Sequence, residues 1–584
     1  MKLFLMKLMA TLVCSLIIFT AKAEDKTVDI ADFAKYRRAD DAAPMIRVAI
    51  AYCKQIRATK LIFPKATYYF KRDLAAEKYV FMSNNDEGLK RFVFDLSGME
   101  NLEIDGQGSK FILTGFLSPF LLENCRNISL RNFSIDYVRT FHSEAKILSV
   151  DKSGMTVQFD RKFPYKLDHQ TLIFTDSAGV VYPWSDLLEF DPLKKETAFM
   201  ANDLWVGSNV PVKEIKPGTV KLLLPQITGI PGNVMVFASA FRLVPAFNIS
   251  GSVNISFSGI DIFHCGGMGI VAQNSRDLFL DHVRVTPSPG SGRIVSITAD
   301  ATHFSNCSGK ITIENCLFEN QKDDATNIHG IYSKITRINT PYEIEVELVH
   351  KQQFGFEYLK PDMKVEFADA TSIVTYANNS VKSTERINKE FTRVVFADPI
   401  SPNTKLGDVI ACSTDYPEVL IRNCVIRGNR ARGILLNSRG KTVVEHNTFH
   451  VPGAAILFEG DASFWFEQSG VNGVTIRNNT FDNCNYGVWG NACIQVGSGI
   501  LKRVRSKSRY HKDISIVGNT FKIFDPRIIN AYCVDGLIFK DNKIEQSEAY
   551  RSNFSDGKAF VIDACSNVSI DGYDIRNAVD HVKK

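Results

Sequence analysis

The chain has 584 residues, 45% of them apolar, enough for more than one structural unit and too apolar for long disordered tracts. With 69 basic against 64 acidic residues the net charge is only +5, which gives no case for a nucleic-acid partner. The 41 Phe suit a large β core, and some could stack on sugar rings.

The first segment, residues 1–23, has the pattern of a secretory signal. Lys2 and Lys7 form its positive end, Leu8 to Thr20 its apolar run, and Ala21-Lys22-Ala23 a small-x-small cleavage site. The implied destination is the periplasm or the exterior. Cys14 raises a lipid anchor as a weaker reading, because Val13 is larger than such processing prefers and the apolar run continues beyond it. No other stretch approaches the ~18 uninterrupted apolar residues of a transmembrane helix. Export would permit disulfides, but the cysteines show no close CxxC pair. Cys316 and Cys424 instead sit at equivalent repeat positions, as small buried residues do when they stack.

Residues 24–139 read as a cap followed by first coils. Met45, Val48, Ala49 and Cys53 have helical spacing behind Asp40-Asp41, and LIFPKATYYF and NLEIDGQGSKFIL follow as strands. One pattern then recurs along the chain: alternating apolar residues, a small or Asn residue, and a large apolar residue. It appears around Phe133, Ile260, Val283, Cys316, Cys424, Asn447, Asn479, Asn519 and Asn542. Three of its steps are 23 residues, and the others are longer. A short fixed period with longer steps predicts single coils carrying loop insertions, and the two-residue alternation predicts strands. The fold class is therefore all-β, a right-handed parallel β-helix. Asn at each corner suits left-handed backbone angles or side-chain ladders. Two stretches, 140–245 and 331–412, lack the pattern but are rich in strands and turn signals. Each is expected to be a β-barrel-like insert, with coils at 246–330 and 413–584 around them.

The segment from Thr298 to Gly330 carries the chemistry. It places Asp300 one coil before the adjacent pair Asp323 and Asp324. One coil of separation becomes one strand spacing, roughly 4.8 Å, so three carboxylates gather on one face. Neighbouring residues on a regular strand point to opposite faces, so both members of the pair face outward only at a bulge or corner. Crowded carboxylates raise one another's pKa, which suits the acid and base pair that glycoside hydrolysis needs. A calcium site is the rival use of clustered Asp, but no dense acidic loop surrounds them, so no metal or other cofactor is expected. His303, Asn327 and His329 follow as groups that bind a sugar hydroxyl or tune an acid. A second cluster, Glu459, Asp461, Trp465 and Glu467, mixes an aromatic with acids, as sugar recognition does. Gln273, Arg293 and Asn437 are weaker candidates of the same kind. The second insert, starting directly after this segment, is placed as a wall or lid beside it.

These residues, above all ADATHF followed by QKDDATNIHG, resemble glycoside hydrolase family 110, the exo-acting α-1,3-galactosidases, over nearly the whole mature chain. The resemblance implies an inverting, metal-independent enzyme that removes terminal α-1,3-linked galactose, as in blood group B glycans. It also implies that Asp300, Asp323 and Asp324 are the catalytic set. A similar trio in polygalacturonases, transferred by analogy, would make Asp323 the acid and give the water to Asp324 and Asp300. Two other readings stay open: a β-helix enzyme acting on acidic polysaccharide, and a glycan-binding protein without catalysis. The expected partner is an oligosaccharide with terminal galactose, and a homo-oligomer in which one insert completes a neighbour's pocket stays open.

Overall fold

A computed structural model describes residues 26–570, apart from 87, 208, 469, 555 and 556, together with the backbone of a strand at 573–575. The expected signal segment, Cys14 included, lies outside the described residues. The protein is a parallel β-helix. A 21-stranded sheet and a 13-stranded sheet run along it, with successive coils pairing in parallel. The repeated segments fall in register: Phe133 opposes Ile260, which opposes Val283. The residues after Cys424, Asn447, Asn479 and Asn519 oppose one another likewise.

The corner chemistry is shared between two neighbours. The residue before each anchor takes the left-handed angles: Asn315 (φ 56°), Asn423 (φ 54°), His446 (φ 56°) and Asn478 (φ 55°) among them. Asn tolerates that region better than most residues because its short side chain bonds locally. The anchor Asn then builds the ladder. The Asn447 backbone N–H and Nδ2 both donate to Asn479 Oδ1, at 2.9 and 3.0 Å, and Asn479 repeats this toward Asn519. Inside the coil the Phe residues stack at one-coil spacing, Phe449 on Phe481 at 5.2 Å and Phe481 on Phe521 at 4.6 Å. Each such ring contributes about 1.5–3 kcal/mol by burial. The eleven cysteines among the described residues are all buried and unpaired.

The N-terminal end is covered by helix α1 (Ala43–Ile56), which buries Met45, Ile46, Ala49, Ile50 and Cys53. Asp41 accepts the Ala43 N–H at 2.9 Å, satisfying one of the donors that a helix start leaves free. The first insert spans strands from Ser143 to Ala238. Antiparallel sheets of eight and three strands share a core that includes Ile147, Phe159, Trp184 and Phe237. The second is a closed six-stranded barrel running from Ser333 to Cys412 around Ile335, Phe367, Val394 and Ile410. Among the described residues no helix is long and apolar enough to cross a membrane.

The 13-stranded sheet positions the acidic segment. Its central rungs are β1 (Phe247–Ser250), β2 (Ile270–Gln273), β3 (Thr302–Ser305), β4 (Thr326–Ile331), β5 (Ile434–Leu436) and β6 (Ile456–Phe458). Ile270, Ala272, Phe304, Ile328, Ile434 and Leu436 face the core. The alternate residues, His303, Ser305, Asn327, His329 and Asn437, therefore face outward.

Candidate active site

Thr302 of β3 opposes Thr326 of β4, which opposes Ile434 of β5. Two residues before each lie Asp300, Asp324 and Arg432, so these three occupy the same place on successive coils. Backbone bonds fix the stack: Ala301 N–H to Asp324 O at 3.0 Å and Ala325 N–H to Gly433 O at 2.9 Å. Asp323 and Asp324 sit in a corner ahead of β4 rather than in a strand. That frees adjacent side chains from the alternation of a strand. One carboxyl oxygen from each of Asp300, Asp323 and Asp324 lies within 4.8 Å of the others, and all three residues are buried.

Three guanidinium groups hold this cluster. Asp323 accepts from Arg242 Nη2 and from Arg430 Nη1, both at 2.6 Å. Arg432 grips Asp324 with two parallel bonds, Nε to Oδ1 at 3.0 Å and Nη2 to Oδ2 at 2.7 Å, and its backbone N–H adds a third at 3.0 Å. Asp203 holds Arg430 from behind at 2.8 Å, and Trp489 Nε1 donates to Asp203.

The three carboxyls are not equivalent. Burial, reinforced by the charge of Asp323, pushes Asp300 up to about 8. Burial acts on Asp323 too, but Arg430 and Arg242 outweigh it and hold the group below the usual carboxylate range. Asp324 rises to about 6: burial and the neighbouring carboxyls of Asp323 and Asp300 win over the Arg432 pair, which alone would lower it. Near neutral pH the trio therefore keeps one proton, and that proton rests on Asp300. The polygalacturonase likeness would put it on Asp323, which the two guanidinium groups oppose.

A line of imidazoles backs Asp300. His303 Nδ1 meets Asp300 Oδ2 at 2.6 Å, and His303 Nε2 meets His329 Nε2 at 2.8 Å. His329 Nδ1 lies 2.6 Å from Gly330 O. Glu467 joins from a short strand after β6, Glu467–Gln468, that pairs antiparallel with the end of β4. It accepts from Asn84 Nδ2 at 2.7 Å and Asn327 Nδ2 at 3.3 Å, and lies 3.5 Å from His329 Nε2. Burial opposes its charge, but His329, His303 and the two amides keep Glu467 below its usual range. The trio opens to solvent narrowly. Asp323 and Glu467 side chains are 10% and 11% exposed, against 27% for Arg432.

The structure thus brings Asp300, Asp323, Asp324, His303, Asn327, His329 and Glu467 together. Glu459 is a near neighbour, carried by the coil after Asn437, whose Oδ1 accepts the Glu459 N–H at 2.8 Å. Burial raises Glu459 while Arg432 opposes. Three further expected residues hold bonds within the protein. Asp461 accepts the backbone N–H groups of Ser463, Phe464 and Trp465, so it shapes its own loop. Gln273 ties β2 to the segment before it, accepting from Ser83 N–H and donating to Phe81 O. Arg293 is paired with Asp136 at 2.9 Å. Trp465 is half-buried, its ring 4.4 Å from that of His350 of the second barrel, and its carbonyl accepts from Gln353 Nε2. The barrel therefore stands against this loop. The three arginines and Asn84 were not anticipated. Arg430 and Arg432 lie 107 and 108 residues beyond the carboxylates they hold, because the barrel intervenes. Arg242 arrives from the exit of the first insert.

Known proteins share this design. Residues 143–232 match the GLAA-B beta-barrel domain I and residues 343–410 the GLAA-B beta-barrel domain II. An alpha-1,3-galactosidase A of Shewanella woodyi is 36% identical over 94% of this chain and 91% of that protein. An alpha-1,3-galactosidase B of Bacteroides thetaiotaomicron is 31% identical over 95% and 92%. Among solved structures, the A-module of the Azotobacter vinelandii mannuronan C-5 epimerase AlgE6 is 10% identical, covers 93% of this chain and 98% of that one, and gives a TM-score of 0.38.

Proposed function

The chain belongs to the alpha-1,3-galactosidases of glycoside hydrolase family 110, and on that premise we propose that it removes terminal α-1,3-linked galactose from glycans, blood group B structures among them, with inversion. The observation that carries this reading is a buried trio of carboxyls holding one proton beside two anions. Cleavage of a glycosidic bond needs one acid to protonate the leaving oxygen and one carboxylate to take a proton from water. The trio contains both, and its anionic members also favour the positive charge that develops on the sugar.

The carboxyl spacing bears on stereochemistry. Inverting pairs usually stand ~6.5–9.5 Å apart and retaining pairs ~5–5.5 Å, whereas these oxygens lie within 4.8 Å of one another. Taken as a pair they would favour retention through a covalent intermediate. Taken as three, two members can steady one water while the third meets the leaving oxygen, and this arrangement, with the family resemblance, supports inversion. Acidic polysaccharide is the poorer substrate, since each guanidinium at the centre is already bonded to an aspartate. Export to the periplasm or beyond belongs to the same proposal, and cell fractionation tests it.

The deciding experiment incubates the protein with linear and fucose-branched oligosaccharides ending in α-1,3-galactose and follows the first-formed sugar by NMR. β-Galactose released ahead of mutarotation is the expected result. α-Galactose would replace inversion with retention, and no release at all would remove the enzymatic reading.

A further inference from the structure

We propose that His303 and His329 are positioning residues whose fixed hydrogen-bond directions compel Asp300 to be a proton donor. The inference deepens the reading of the trio as acid and base, and rests on it only for its kinetic consequence.

The far end of the chain of bonds sets the direction of all the rest. Gly330 O only accepts, so His329 Nδ1, 2.6 Å away, carries a hydrogen. In a neutral imidazole the other nitrogen is then a lone pair, so His329 Nε2 accepts. His303 Nε2, 2.8 Å from it, must donate. A neutral His303 that donates from Nε2 offers a lone pair at Nδ1. Asp300 Oδ2, 2.6 Å from that lone pair, has to supply the hydrogen. A carboxylate there would place two acceptors face to face in a buried setting, which is unfavourable.

The rival arrangement moves one proton along the same line. His329 would be an imidazolium, His303 would donate from Nδ1, and Asp300 would be a carboxylate. Groups from every neighbouring element bear on the choice. Glu467, on the short strand paired with the end of β4, favours a charged His329, but from 3.5 Å. Arg242 from the first insert and Arg432 from the corner before β5 favour a charged Asp300. Against them stand the burial of Asp300 and the charges of Asp323 and Glu467. Burial, then His329 and Arg242, hold the His303 imidazole well below its usual range, against the opposite pull of Glu467 and Asp323. The neutral arrangement separates no charge across the interior and leaves every nitrogen of the two rings bonded.

Neutron diffraction on the deuterated protein near pH 7 reads the hydrogens directly and needs no variant. Deuterium is expected on Asp300 Oδ2, His303 Nε2 and His329 Nδ1, with His303 Nδ1 bare. Deuterium on His303 Nδ1, or on both nitrogens of His329, overturns the proposal whether or not the protein cleaves galactosides. The second arm is kinetic. His303→Leu, which offers Asp300 neither a lone pair nor a hydrogen, should move the alkaline limb of kcat/KM to lower pH by about one unit, the scale of one hydrogen bond to one protonation state. An unmoved limb, or one moved to higher pH as loss of a donor would cause, counts against it. Absence of galactose release from the unaltered protein, with the neutron map as expected, would strike the proposed function and spare the inference.

Discussion

The pH dependence of turnover follows from the electrostatics of the trio. The active form has one proton, on Asp300, and two carboxylates. Raising pH through about 8 removes that proton, because burial and the neighbouring Asp323 set Asp300 there. Lowering pH through about 6 adds a second proton, on Asp324. The profile of kcat/KM should be a bell with its plateau between these two values, since that parameter reports the free enzyme. One unit beyond either limb the active fraction falls about tenfold. Asp323 sets neither limb, its charge being held by two guanidinium groups. The assay is the initial rate of galactose release from a linear α-1,3-galactosyl disaccharide, well below KM, from pH 4 to 10 in buffers of constant ionic strength. A rate that holds flat to pH 10, or an acid limb at the ordinary carboxylate value near ~4, would refute the argument that burial leaves the cluster one proton short of full ionisation.

Replacing Asp300, Asp323 or Asp324 by Asn should lower turnover by about 10²–10⁴-fold with an unchanged far-ultraviolet circular dichroism spectrum. The variant that lacks the acid should recover on an aryl α-galactoside, whose leaving group needs little protonation, and the one that lacks the base should not. Arg430→Gln leaves Asp323 with one guanidinium. Its carboxyl should rise yet stay below the acid limb that Asp324 sets, so kcat/KM at pH 7 should fall while both limbs of the profile hold their place. Asn479→Ala removes the acceptor for the Asn447 N–H and Nδ2 and strips a donor from Val444 O. With about 1–3 kcal/mol for each buried group left unbonded and partial relaxation, unfolding free energy should drop by about 3 kcal/mol, read from the midpoint of urea denaturation.

Much of this architecture can be read from local pattern. The alternation around Cys424, Asn447 and Asn479 marks the rungs because each coil meets the same demands: an inward apolar face, a left-handed corner and an amide ladder. The stacking of Asp300 on Asp324 is legible for the same reason, since one coil lies between them. What hides the arginines is the barrel, which stretches one rung of spatial distance to 108 residues of sequence. Periodicity carries no signal across such a gap, although the corner position of Arg432 relative to Ile434 would locate it once β5 is paired with β4. The internal bonds of Asp461, Gln273 and Arg293 are hidden for another reason. Residue type advertises a hydrogen-bonding group, but whether its lone pairs or protons are already taken by backbone depends on loop geometry that composition does not record.

The placement of the second barrel has a consequence for how the protein comes to life. The carboxylates of Asp323 and Asp324 are made before it, as is Arg242, but two of the three cations that steady them, Arg430 and Arg432, are made after it. A nascent chain that stops within the barrel therefore presents a solenoid edge and an acidic corner with one of its three cations, and no activity. Renaturation should accordingly show coil structure returning first and galactose release last, in step with closure of the barrel, because the rung that completes the centre cannot dock until the detour between them has been tied off.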